Sequence, residues 1–122
     1  MKIKINDHRK IYAVQTEFNK VFKNLKIVFW GKPHSNSGEH AEELSNENNS
    51  TIGACRIIHN KGEITITPAM KVSELQERFA DVYGLGVGIQ IKSGKLWEHA
   101  AGFDALTLED LNKKASPSKH FA

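Results

Sequence analysis

The chain has 122 residues, 39% apolar and 25% charged, with 17 Lys and Arg against 14 Asp and Glu for a formal net charge of +3. That length suits one hydrophobic core and excludes a second domain of useful size, and no run approaches the roughly 20 apolar residues of a membrane span. The first segment turns polar at Asn6, too early for a secretory signal, and a lone cysteine, Cys55, excludes an internal disulfide, so a reducing, cytoplasmic setting without a membrane partner is expected.

Residues 2–5 alternate Lys and Ile, a period-2 signal for a strand with one buried face. Across 8–24 the apolar residues Ile11, Val14, Phe18, Val21 and then Leu25 recur at spacings of three and four, which predicts an amphipathic helix with Asn6 or Asp7 as its cap. Residues 25–30 are apolar at five of six positions and rich in β-branched and aromatic types, the pattern of a strand covered on both faces. Gly31 and Pro33 close it. Residues 34–50 hold one large apolar side chain, Leu44, and read as a long polar loop.

From 51 to 60, Ile52, Cys55 and Ile58 recur every third residue before Asn60-Lys61-Gly62, predicting a helix stopped by glycine, with a strand as the competing reading. Ile64 and Ile66 alternate with Thr65 and Thr67 in a half-buried strand closed by Pro68. Ser73-Glu74-Leu75-Gln76 matches a capping box, after which Leu75, Phe79 and Val82 line a helix ending at Gly84. Val87, Ile89 and Ile91 are the inward set of a further strand, and Ser93-Gly94 turns it into a hairpin with 95–100. Thr107-Leu108-Glu109-Asp110 opens a short helix, and 116–122 form a fraying tail.

These elements predict one α+β domain over residues 1–115. The expected architecture is a two-layer α/β sandwich: a mixed sheet of four to five strands, two main helices on one face, and a C-terminal β-hairpin plus short helix. The opposite sheet face then carries Val28, Trp30, Thr65, Thr67, Gln90, Lys92 and Trp97.

Four groups of residues invite a functional reading. Arg9, Lys20 and Lys23 share the polar side of the first helix, and residues 1–30 hold seven Lys or Arg against two acids; such a stripe suits a nucleic-acid backbone, although the polar face of a helix is usually only solvated. Trp30 and Trp97 with Lys92 on an open sheet face would supply stacking platforms, whereas tryptophans at sheet positions are more often packed. His34, Glu39, His40 and Glu43 offer imidazole and carboxylate to a divalent metal, but His-x5-His matches no regular geometry that aims both rings at one point, and a solvated loop is the plainer reading. Cys55 and His59, four apart, would share a helix face as nucleophile and base, although Cys55 occupies a core position in the row of Ile52 and Ile58. Gly84-Leu85-Gly86-Val87-Gly88 lies after a helix and before a strand, the reverse of the order that phosphate cradling requires. A helix stop at Gly84, and a bulge or close backbone approach at Gly86 and Gly88, account for it.

The run Gly62-Glu63-Ile64-Thr65-Ile66-Thr67-Pro68, then Val72-Ser73-Glu74-Leu75-Gln76-Glu77-Arg78-Phe79, Tyr83-Gly84-Leu85, Lys92-Ser93-Gly94, Trp97 and Thr107-Leu108-Glu109-Asp110-Leu111-Asn112 resembles small uncharacterised bacterial proteins of unknown function. The resemblance covers the second half of the chain and implies a bacterial domain, with no activity or binding residue to carry over. The favoured expectation is therefore a non-enzymatic module that binds another protein or itself through a sheet edge or the second sheet face. Nucleic-acid binding through Arg9, Lys20 and Lys23 is the alternative, a small Cys55/His59 enzyme the further one. No cofactor or metal is expected.

Overall fold

The computed structural model describes residues 1–30, 43–44, 50–56, 58–100 and 102–114. The first strand, β1 (Lys2–Ile5), buries Ile3 and Ile5 and exposes both lysines, and it pairs antiparallel with β4 (Gly62–Thr65), Ile3 opposite Ile64. Between them in sequence come helix α1 (Ile11–Val21), the central strand β2 (Leu25–Trp30) and the two-residue β3 (Glu43–Leu44). Then follow helix α2 (Val72–Tyr83), the hairpin β5 (Gly86–Ser93) and β6 (Leu96–His99), and helix α3 (Leu108–Lys114). The α+β class, the two main helices, the hairpin and the short last helix all agree with the sequence pattern. Among the described residues no helix is long and apolar enough to cross a membrane.

The sheet differs from expectation. Among the described residues the strands form two antiparallel sheets, β1–β4 and β3–β2–β5–β6, instead of one mixed sheet. Side chains on and just before α1 take carbonyls from both β1 and β2: Arg9 Nη1 donates to Lys4 O at 3.1 Å, Gln15 Nε2 to Ile27 O at 3.0 Å and Asn19 Nδ2 to Leu25 O at 2.9 Å. A strand carbonyl satisfied in this way needs no neighbouring strand, so the two ribbons stay apart. Thr65 and Thr67 consequently do not extend the face that carries Trp30.

Both ribbons still bury their aliphatic rows in one core. Ile3, Ile5 and Ile66 meet Phe18 from α1, Leu75 and Phe79 from α2, and Leu25, Ile27 and Phe29 from β2, all essentially without solvent exposure. The Phe29 and Phe79 rings meet edge to face at 5.9 Å, a geometry that the ring quadrupoles favour. Val82, expected inside, is exposed, and Tyr83 takes the buried place.

Three local readings also change. Helix α1 starts later than residue 8, because Asn6 Oδ1 accepts the amides of His8 and Arg9, both at 3.0 Å, in a turn that precedes the helix; Asp7 is engaged elsewhere. The box at the start of α2 lies two residues earlier than the sequence suggested, with Glu74 accepting the Lys71 amide at 2.9 Å. Among the described residues of 51–60 the sole helical turn is a 3-10 turn, Gly53–Cys55, followed by extended backbone at Arg56. Gly53 packs on Asp7 so closely that an added Cβ would sit 2.8 Å from Asp7 Cβ, and Arg56 is drawn inward, which together end the helix before a second turn. At the close of α2, Gly84 adopts φ +65°, with the Leu85 amide bonded back to Phe79 O at 3.0 Å, the expected left-handed stop.

Candidate functional site

The outer face of the larger sheet follows from its register. Trp30 pairs with Gly86, Val28 with Gly88 and Lys26 with Gln90 across β2–β5, and Gln90 with His99 and Lys92 with Trp97 across β5–β6. Directly opposed residues point the same way, so Lys26, Trp30, Lys92, Trp97 and His99 share this face around Val28 and Gln90. Val28 and Gln90 are buried, Lys26, Trp30, Lys92 and Trp97 are half-buried, and His99 is exposed.

The two glycines of β5 make room for an aromatic side chain, not for another backbone as the sequence suggested. A Cβ at Gly86 would lie 3.4 Å from Trp30 Cδ1, and one at Gly88 would lie 3.5 Å from Trp30 Nε1 and Cζ2. Trp30 therefore runs its indole along the trough left by two missing side chains and reaches the strand beyond. There it stacks on His99, with ring centroids 5.6 Å apart and planes 28° from parallel. One row along, Lys92 Nζ sits 5.6 Å from the centre of the Trp97 ring, within cation–π range. A cavity of about 160 Å³ opens beside Trp30 and His99, where Gln76 and Asp104 meet Gly88. Gln76 Nε2 also donates to Val87 O at 3.3 Å.

Sequence reasoning placed Trp30, Trp97 and Lys92 together, and the structure brings them onto one face. It missed His99 and Lys26, although His99 lies two residues from Trp97 and Lys26 four from Trp30, and period 2 assigns both to that face.

A second cluster was not foreseen. Arg56, whose side chain is 0% exposed, donates from Nε and Nη2 to Asp7 Oδ1 at 3.1 and 2.8 Å, and from Nη1 to Tyr83 O at 3.0 Å. His59 Nδ1 meets the other Asp7 oxygen at 2.9 Å. Hydrogen bonds from His59 and Arg56 hold the Asp7 carboxyl below the ordinary carboxylate value. The only sequence signal was an arginine inside an apolar stretch, and its partner lies 49 positions away.

Cys55 and His59 are not joined as nucleophile and base. The Cys55 thiol is 4% exposed and donates to Ile52 O at 3.2 Å, while His59 faces Asp7. Without the helix of 51–60, the spacing of four no longer aligns them. In the basic stripe, Arg9 is bound through both terminal nitrogens by Glu17, whose carboxyl the guanidinium holds down in pKa, and Lys20 and Lys23 are exposed. The proposed metal ligands His34, Glu39 and His40 lie outside the described residues, and of Glu43 the backbone alone is described. Among the described residues no three metal-ligating side chains converge.

No protein-family model, curated protein or solved structure matches the chain.

Proposed function

We propose that this domain acts by binding rather than by catalysis, and that the outer face of β2, β5 and β6 receives its partner. The observation that carries this reading is the Trp30 indole seated along Gly86 and Gly88 and stacked on solvent-exposed His99. Glycine inside a strand costs about 0.5–1 kcal/mol relative to alanine; a bare Cβ at Gly86 or Gly88 would only touch the indole, but any longer side chain would press on it, so the pair keeps the trough open for one ring that is itself only half-buried. Such an investment does little for the core, which lies on the other side of the sheet. It does create a rigid aromatic ridge with lysines beside it, the kind of surface on which binding energy concentrates.

The chain's two tryptophans are Trp30 and Trp97, so intrinsic tryptophan emission reports on this face alone. Emission is followed during dilution of the protein from high micromolar concentration and during titration with an acidic peptide and with an oligonucleotide. A saturable change with at least one of the three, abolished in Trp97→Ala or Lys92→Gln, is expected. Emission that responds to none of them would overturn the assignment of the face.

A further inference from the structure

We infer that the occupant of this face is a single-stranded nucleic acid, an inference that rests on the binding-face reading above. The ring planes come first. Trp30 and His99 already form a near-parallel pair, an aromatic step fixed on this face. Trp97 follows two residues away on β6, about 7 Å along the strand, a step that suits consecutive unstacked bases of an extended strand. Every base presents a π-face, so such a row accepts mixed sequence, whereas a peptide meets it only with occasional aromatic side chains.

Charge comes second. Lys92 Nζ lies over the Trp97 ring, and Lys26 stands across Gln90 from His99 in the register of the sheet, so two lysines share the face with the rings. Lysines flanking stacked aromatics meet phosphates that alternate with bases, and they need proximity more than exact geometry. The cavity beside Trp30 adds the Gln76 amide and the Asp104 carboxylate at its rim, groups able to hydrogen bond to the edge of an inserted base. This is a different surface from the Arg9, Lys20 and Lys23 stripe, where Glu17 already occupies the arginine.

The test uses the full chain with a 12-nucleotide mixed-sequence DNA and its RNA counterpart, at low salt and then at rising salt. Binding is read by tryptophan emission and, independently, by anisotropy of a labelled oligonucleotide. The expected result is saturable quenching, with affinity falling as salt rises. Lys26→Gln/Lys92→Gln should flatten the log–log salt slope by about 1.4, or 0.7 for each phosphate that the variant no longer neutralises. Trp97→Ala should weaken binding by about 5- to 150-fold at fixed salt. Both lysines are half-buried and stand outside the hydrophobic core, so the double variant should keep the fold, which far-UV circular dichroism checks. Neither quenching nor anisotropy change at low salt would overturn the inference. So would quenching by an oligo-glutamate peptide but not by the oligonucleotides, a result that leaves the binding face standing. Oligonucleotide binding that leaves tryptophan emission and the lysine variants unaffected would overturn the face itself.

Discussion

Gly88 is the position where the seating of Trp30 can be tested most sharply. An ideal Cβ there lies 3.4 Å from Val28 Cγ2 and 3.5 Å from two atoms of the indole, which is ordinary contact. Gly88→Ala should therefore fit, and by restricting the unfolded chain it should add about 0.5–1 kcal/mol of stability. Gly88→Val extends the side chain by a further bond of about 1.5 Å. Its methyls then press on Val28, on Trp30, or on both, at separations well under the roughly 3.5–4.0 Å optimum. Overpacking of this kind costs about 1–3 kcal/mol, against a β-propensity gain of at most about 1 kcal/mol. At about 4 °C per kcal/mol, alanine should raise the thermal midpoint by about 2–4 °C, and valine, at a net cost of up to about 2 kcal/mol, should lower it by up to about 8 °C. Valine should also shift tryptophan emission to the red as the indole leaves its trough. In a Trp30→Ala background the part of the valine penalty that comes from the indole should vanish, a coupling that a double-mutant cycle isolates. Circular dichroism and emission spectra read both effects. Valine as well tolerated as alanine, with unshifted emission, would refute the placement of Trp30.

The Asp7 cluster makes an acid-side prediction. Hydrogen bonds from His59 and Arg56 lower its carboxyl pKa in the folded state, so the stability it contributes is complete above the unfolded value and is lost as pH falls through the depressed folded one. Urea midpoints of the native protein should drop more steeply between pH 5 and 2.5 than those of Asp7→Asn, and parallel curves would contradict the pairing. Arg56→Met removes the donor to the Tyr83 carbonyl and leaves that acceptor unpaired. A loss of about 1–3 kcal/mol in urea denaturation is expected from that term, and an unchanged midpoint would show the bond to be dispensable. Cys55, buried and turned to the Ile52 carbonyl, should react with iodoacetamide more slowly in the native protein than in urea. Equal or faster native alkylation would restore the nucleophile reading.

Local periodicity made much of the fold legible. The lysine–isoleucine alternation of β1, the apolar spacing within α1 and α2, the glycine stop at Gly84 and the turn at Gly94 all depend on neighbours within one or two turns of chain. What was not legible depends on distant partners. The division into two sheets rests on Gln15 and Asn19 reaching β2 carbonyls, polar residues that read only as helix surface. The helix expected over 51–60 fails because Arg56 is committed to Asp7 and Tyr83, neither of them near it in sequence. The binding face lay between these cases: Trp30, Trp97 and Lys92 followed from strand periodicity. The reason for Gly86 and Gly88 emerged only when register set them opposite Trp30 and Val28.

Amide chemical-shift mapping is the most direct measurement, because it locates the ligand without assuming where it sits. With isotope-labelled protein and the 12-nucleotide strand, perturbations should concentrate at residues 26–30, 86–92 and 97–99. Perturbations gathered instead on α1 around Lys20 and Lys23, or around Asp7 and His59, would contradict the assignment of the outer sheet face.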